Sequence, residues 1–463
     1  MKFINREQEL NALNNRWRGG AAELVILYGK RRVGKTELAV RFAKDKPHVY
    51  FLAEKMPLHL QAQKFSKALA QYFGDDYLVR QGLTDWEEIF KYVAGKKKKM
   101  AIIIDEFPYL VEAESGITST FQKAWDLHLK KAPVFLILCG SSISMMEQHT
   151  LAHRSPLYGR RTGQLLIQPF RFADLGKAFP RKSFDDRLTI YSMVGGTIAY
   201  LKNFEGNRSI WKVIEEKVLQ KDQFLYEEVE FLLREELKEP RNYFAILLAL
   251  SLGKTKLSEI INETGFDKGT ASGYLSILNS LSITEKEIPV TEKIPEKSRK
   301  GIYQIADNFF NFWFRFVFRN RNEIEEGRID KVASRIKQSI VELQSRNYER
   351  IAQEILLDAS TSGRFPLKIE EVGRWWDRNE EIDLIALNSE TNTILFGEVK
   401  WSKNPVGTDI LNALKSKSAF VQWGKASRQE HFCLFSRSGF TPDLHEIAKK
   451  DNVHLFHKDV FLK

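Results

Sequence analysis

"ELVILYGKRRVGKTEL", residues 23–38, is the stretch whose reading decides the fold. Residues 24–28 form a continuous apolar run, the pattern of a strand covered on both faces. The run breaks at Gly29, and a helical pattern begins after Thr36; the break itself spells G-x-x-x-x-G-K-[ST]. Glycine at Gly29 and Gly34 lets backbone N–H groups wrap a phosphate chain, while the following helix points its positive end at the anion. Lys35 is placed to reach the β- and γ-phosphates, and Thr36 to ligate Mg²⁺. The whole run of Gly29, Lys30, Arg31, Arg32, Val33, Gly34, Lys35 and Thr36, with Glu37 behind it, is assigned to binding ATP and Mg²⁺.

Outward from that loop, apolar strands alternate with helical stretches as far as about residue 170. The strands read from the sequence are 23–29, 48–54, 100–107, 134–142 and 163–170. The expected fold is α/β, a parallel sheet with helices on both faces. "AIIIDEF" ends one of these strands. There Asp105 can hold magnesium opposite Thr36, and Glu106 is the natural base or positioner for an attacking water. The next strand ends in "GSS", so Ser141 or Ser142 is a candidate for contacting the γ-phosphate or its water; a plain turn is an equal reading. "RSPLYGRRTG" then supplies Arg154, Arg160 and Arg161. Arg160 or Arg161 is the candidate γ-phosphate sensor, acting in its own chain or in a neighbouring copy of a homo-oligomer.

The totals bound the rest. A length of 463 residues suggests roughly three domains. Hydrophobic residues at 43% and charged residues at 28% exclude a disordered chain. Two cysteines in different regions exclude a disulfide framework and fit a reducing, cytoplasmic setting. No apolar run is long enough to span a bilayer, and the first residues show no signal-peptide core, so no membrane partner is expected. The net charge of +11 attracts polyanions, of which nucleic acid is the commonest.

Residues 171–235 read as helical. Beyond them "NYFAILLALSL", "KLSEIINETG" and "KGTASGYLSILNSL" are three short helices, and 282–307 reads as a two-stranded wing with a charged tip: a winged-helix pattern. Its third helix would expose Lys268, Thr270, Ser272 and Tyr274. The wing, with Lys293, Lys297, Arg299 and Lys300, is the better candidate for phosphate contact. "NFFNFWFRFVFRNR" (308–321) reads as an aromatic core element rather than a base-stacking platform.

A second charged constellation closes the chain. In "EIDLIALNSETNTILFGEVKW" two β-rich runs flank a polar turn, and a hairpin centred between Glu390 and Thr391 pairs residues whose numbers sum to 781. Asp383 then faces Glu398, and Lys400 projects from the same face. Two facing carboxylates repel unless a cation sits between them. A bound Mg²⁺ there can activate water on a phosphodiester while Lys400 stabilises developing charge. Asp383 and Glu398 are the predicted metal ligands.

Several segments together carry a family resemblance: "FINREQELNAL", "LYGKRRVGKTEL", "IIIDEF", "LCGSS", "SPLYGRRTGQL" and "VGGTIAYL". They resemble the archaeal-type ATPase family, within the STAND class of AAA-like P-loop switches, over roughly residues 1–290. The resemblance implies that Asn5 and Arg6 lie near the base or ribose, and that nucleotide acts as a switch. Thr197-Ile198-Ala199 departs from the proline-containing element usual at that place. D-(x14)-E-x-K behind "YERIAQEILL" resembles the PD-(D/E)xK nuclease superfamily, over roughly residues 300–463. By that resemblance Glu349 faces the metal, with Glu354 as the alternative.

The expected organisation is a P-loop domain (1–170), a helical lid-like segment (171–235), a winged helix (236–306), and a linker helix with a nuclease-like domain (307–463). The expected function is an ATP-hydrolysing switch on nucleic acid, DNA above all, coupled to a phosphodiester site. The alternative is a non-cleaving, ATP-switched DNA-binding regulator or scaffold. A third reading is a sensor of a protein or peptide ligand, which a salt-independent nucleic-acid affinity would favour.

Overall fold

The computed structural model describes residues 3–237 and 239–462. The chain divides into two compact units, one of residues 1–180 and 196–205, the other of 181–195 and 206–463.

The first unit is built on a five-stranded parallel sheet. Helix α1 (Glu7–Gly19) leads into β1 (Glu23–Tyr28), and α2 (Lys35–Ala43) follows the phosphate-loop motif. The remaining strands are β2 (His48–Leu52), β3 (Met100–Asp105), β4 (Val134–Gly140) and β5 (Gly163–Leu166), in the order β2-β3-β4-β1-β5. Strands β3 and β4 are buried along their whole length, as the continuous apolar runs require. Leu13, Leu38 and Phe42 of α1 and α2 cover one face with Val25, Ile103 and Ile137. Phe65, Trp86, Phe90 and Phe121 from the intervening helices cover the other. The motif loop therefore lies where α/β sheets bind ligands, at the C-terminal ends of the strands.

The second unit starts at α3 (Phe184–Val194). Three helices, α4 (Pro240–Ser251), α5 (Leu257–Thr264) and α6 (Lys268–Ser280), are followed by an antiparallel ribbon of β6 (Thr284–Glu287) and β7 (Ile302–Ile305). Tyr274 departs from expectation. Its hydroxyl accepts from Asn242 Nδ2 at 2.7 Å and its ring packs on Tyr243, so it is turned onto α4 rather than outward. Lys300 of the ribbon's loop is likewise engaged, 3.2 Å from both Glu292 and Asp377, whereas Lys293, Lys297 and Arg299 are exposed. The aromatic segment is core: Phe309, Phe312, Trp313 and Phe314 are buried, and its helix opens into a wide π turn over Trp313–Val317.

Helix α7 (Ile329–Thr361) then crosses to a six-stranded mixed sheet. Its strands are β8 (Glu371–Asp377), β9 (Glu380–Asn388), β10 (Thr393–Lys400), β11 (Gln429–Ser436), β12 (Val453–His457) and β13 (Val460–Phe461), hydrogen-bonded in sequence order. Helix α8 (Thr408–Ser418) packs between β10 and β11 in sequence and against β10 and β9 in space. The β9–β10 register is the predicted one: Thr393 pairs with Asn388 and Gly397 with Leu384.

Candidate functional site

Gly34 adopts φ 93° as the N-cap of α2, a region an L side chain rarely enters. Gly29 has no room for a Cβ, which would lie 2.3 Å from the Ile167 carbonyl oxygen. Both glycines are thus required by the loop's path. A cavity of about 910 Å³ opens over the loop, lined among others by Arg31, Arg32, Lys35, Thr36, Glu106 and Ser141.

Lys35 is buried, and its ammonium donates to the carbonyls of Gly29 (2.9 Å) and Lys30 (2.7 Å). Burial, the largest influence, lowers its pKa against the raising effect of Cys139, Glu106 and Asp105. Asp105, 3% exposed at the end of β3, gathers three hydrogen bonds. Thr36 Oγ1 donates to its Oδ2 at 2.7 Å, Tyr50 Oη donates to the same oxygen at 2.9 Å, and Glu106 N–H donates to Oδ1 at 3.0 Å. A threonine hydroxyl that gives its proton to a carboxylate turns its lone pairs outward, so the pair fits a hard cation such as Mg²⁺. Glu106 stands at φ 53°, the left-handed region, and Ser141 Oγ donates to its Oε2 at 2.8 Å. That backbone state costs of order 1–3 kcal/mol and aims the carboxylate over the strand end.

The second constellation lies in the other unit. Asp383 Oδ2 accepts the Val399 N–H at 2.9 Å. Lys400 Nζ is 2.7 Å from Glu398 Oε1 and 4.0 Å from Asp383 Oδ2, and Lys417 Nζ of α8 is 3.4 Å from Glu398 Oε1. Burial and then the Glu398 charge push Asp383 up to about 6. Burial and then the Asp383 charge push Glu349, on α7, up to about 7. For Lys400, burial opposes the charged form, yet the Glu398 hydrogen bond and charge outweigh it and raise its pKa. Glu349, Asp383, Glu398 and Lys400 are therefore brought together. Among the described residues no group of three or more His, Cys, Asp or Glu is arranged as a metal cage. The lysine ammonium lies beside the two carboxylates that would ligate a cation, and the raised proton affinity of Asp383 is what a divalent ion would relieve. In donor chemistry the site fits such an ion. Trp401, the next residue, is fixed by its Nε1 donating to Gln344 Oε1 (3.2 Å), whose Nε2 donates to Thr189 of α3 (2.8 Å).

Comparison with known proteins adds the kinship. A family described as "ATPase domain predominantly from Archaea" matches residues 3–204, and one described as "Archaea bacterial proteins of unknown function" matches residues 313–417. An uncharacterized protein of Methanocaldococcus jannaschii is 37% identical over 86% of this chain and 87% of its own length. The chain belongs to the archaeal-type ATPase family. An uncharacterized ATP-binding protein of the same organism is 50% identical over 10% of this chain and 75% of its own length. Among solved structures, the Walker-type ATPase of Pyrococcus abyssi is 20% identical, over 68% of this chain and 96% of its own, at a TM-score of 0.49.

The remaining expected residues of this archaeal-type ATPase have partners of their own. Arg6 is buried and lines the cavity. Its Nη2 donates to the carbonyls of Val33 (3.1 Å) and Gln168 (2.7 Å), and Nη1 pairs with Glu9 at 2.9 Å, so it clamps the phosphate loop to the segment after β5. Asn5 Oδ1 accepts from Lys177 Nζ at 3.2 Å. Arg160 pairs with Asp126 at 3.1 Å, and Arg161 donates to the Tyr158 and Leu151 carbonyls. Neither of these two arginines lines the cavity, while Arg31 and Arg32 do. Sequence reasoning missed Tyr50, Arg41, Lys44, Lys202 and Lys417. Arg41 on α2 and Lys44 just past its end follow the loop and were legible as basic residues of that segment. Tyr50 and Lys417 meet Asp105 and Glu398 through strand and helix neighbours that no local pattern announces.

Among the described residues no helix is long and apolar enough to cross a membrane.

Proposed function

We propose that this archaeal-type ATPase domain hydrolyses ATP as a switch, and that the switch governs a PD-(D/E)xK nuclease-like site on nucleic acid in the second unit. In the first unit Lys35 and the loop N–H groups bind the phosphates, Thr36 and Asp105 hold Mg²⁺, and Glu106, oriented by Ser141, positions the attacking water. Magnesium supplies charge neutralisation at the β- and γ-phosphates when bound. Hydrolysis resets the switch. In the second unit Asp383 and Glu398, with Glu349 beside them, hold a divalent cation, and Lys400 stabilises charge on a phosphodiester.

The observation that carries the reading is the meeting of Glu349, Asp383, Glu398 and Lys400, two of whose carboxyls are held above their usual range. Three helices and a ribbon with exposed Lys293, Lys297 and Arg299 make a winged-helix-like arrangement suited to phosphate contact, and the +11 charge agrees. The test incubates plasmid and single-stranded DNA with Mg²⁺ or Mn²⁺, with and without ATP, beside Asp383→Ala and Lys35→Ala. Cutting that vanishes in Asp383→Ala and changes in Lys35→Ala supports the reading. No cutting under any condition, with ATP hydrolysis intact, overturns the nuclease half.

A second reading has its own observation. Lys400 and Lys417 both neutralise Glu398 without any metal. A site so satisfied suits a non-cleaving, ATP-switched nucleic-acid scaffold, whose DNA affinity would be insensitive to Asp383→Ala.

A further inference from the structure

The ATPase site contains a contact its phosphate-loop chemistry does not call for. Tyr50 comes from β2, the edge strand beside β3, and in register it faces Ile103. Asp105 lies two residues beyond Ile103, so it shares that sheet face. The phenol reaches along the strand to place Oη 2.9 Å from Asp105 Oδ2, the same oxygen that receives Thr36 Oγ1. From the opposite side, β4 pairs Leu138 with Ile104, and the register carried one step further sets buried Cys139 beside Asp105. The carboxylate is thus held by donors from the neighbouring strand β2, from α2 and from the Glu106 N–H, with the Cys139 side chain packed on its other side.

A terminal carboxylate torsion is broad and roughly two-fold, so an aspartate at a strand end rotates unless something stops it. Here rotation would also turn the Thr36 hydroxyl, because the hydroxyl follows the oxygen to which it donates. We propose that Tyr50 is a positioning residue for the magnesium ion of this site: its hydroxyl pins Asp105, and Asp105 in turn aims the Thr36 oxygen at the metal. The inference rests on Thr36 and Asp105 being the metal-side pair. Tyr50 is not among the residues that line the cavity. Partners of this kind, one step behind a metal ligand, typically carry a 10- to 100-fold share of metal affinity.

The measurement is ADP affinity, by titration calorimetry on the full chain, with Mg²⁺ and with EDTA in its place, for the native protein, Tyr50→Phe and Asp105→Asn. Tyr50→Phe removes one oxygen from a half-buried ring, and the EDTA arm reports on the fold in the same sample. The expected result is that Tyr50→Phe loses about tenfold of the Mg²⁺-dependent gain in affinity, while its affinity in EDTA stays within about twofold of native. Full gain in Tyr50→Phe overturns the inference, as does an equal loss with and without Mg²⁺, which would mark the ring as packing alone. Asp105→Asn separates the two levels. If it keeps the gain, the metal role of Asp105 fails and the inference falls with it. If it loses the gain while Tyr50→Phe keeps it, Tyr50 alone is excluded.

Discussion

The two acidic centres solve the burial of carboxylates in opposite ways. At Asp105 and Glu106 the negative groups are met by neutral donors: Thr36 of α2, Tyr50 of β2, Ser141 just after β4 and a backbone N–H. At Glu349, Asp383 and Glu398 acids face one another, and burial with mutual repulsion pushes Asp383 to about 6 and Glu349 to about 7. The first centre is preorganised before any ligand arrives. The second holds a repulsion that only protons, lysines or a metal relieve. One therefore answers to geometry and the other to charge.

The largest expected effect tests the first half of that contrast. Glu106→Gln should lower ATP hydrolysis about 10³-fold while leaving ATP affinity near native, since the amide keeps the Ser141 contact but cannot accept a proton. Phosphate release measured beside nucleotide binding decides it; an unchanged rate would remove Glu106 from the chemistry. Next is Lys400→Met, which leaves Glu398 and Asp383 without their nearest ammonium. It should lower thermal stability by roughly 2 kcal/mol at neutral pH, with most of the loss recovered by adding Mg²⁺. A loss that Mg²⁺ leaves untouched would mean that Lys400 packs rather than neutralises.

A third effect has the opposite sign. Folded Glu349 and Asp383 bind protons more tightly than their unfolded counterparts. Their contribution is fully present below about pH 4, where both states are protonated, and is lost as pH rises through about 6 and about 7. Glu349→Gln should therefore raise stability at neutral pH, by roughly 1–2 kcal/mol, and flatten the decline between acid and neutral. Unfolding curves across that range measure it. An unchanged slope would place the repulsion elsewhere.

How much of this was legible follows the same division. The phosphate loop and Asp105 are local: glycine spacing, a strand end and a helix start lie in one short stretch, so period and motif suffice. The hairpin that sets Asp383 opposite Glu398 was also readable, because a short turn fixes register and the side-chain period of two fixes the face. What stayed hidden depends on non-local packing. Arg6 reads as a pocket residue in sequence and lines the cavity, but its hold on the segment after β5 depends on the return of residue 168 beside the loop, which no local pattern announces. Arg160 follows the fourth strand and reads in sequence as a γ-phosphate sensor, and its partner Asp126 comes from a different element. Tyr50 offers no motif at all, since its importance arises from β2 lying beside β3. The division of residues 181–205 between the two units is equally silent in the sequence.

Lys417 gives the smallest effect and the finest division of the charged centre. It lies in the last turn of α8, 3.4 and 3.5 Å from the two oxygens of Glu398, beside the closer Lys400. A longer, partly exposed pair of this kind is worth about 0.5 kcal/mol, so Lys417→Ala should barely move the stability measured at one pH. Its consequence should appear in the pH profile. Glu398 is the main charge holding Asp383 up, after burial, and Lys417 partly cancels that charge. Removing the lysine makes Asp383 keep its proton to higher pH, so the acid-to-neutral loss of stability should extend to higher pH and deepen by the same small amount. A shift of that kind in Lys417→Ala, absent when Asp383→Asn is added, would show that the carboxylates and both lysines titrate as one unit. A profile that does not move would leave Lys417 an ordinary surface cation and Lys400 the counter-charge of Glu398.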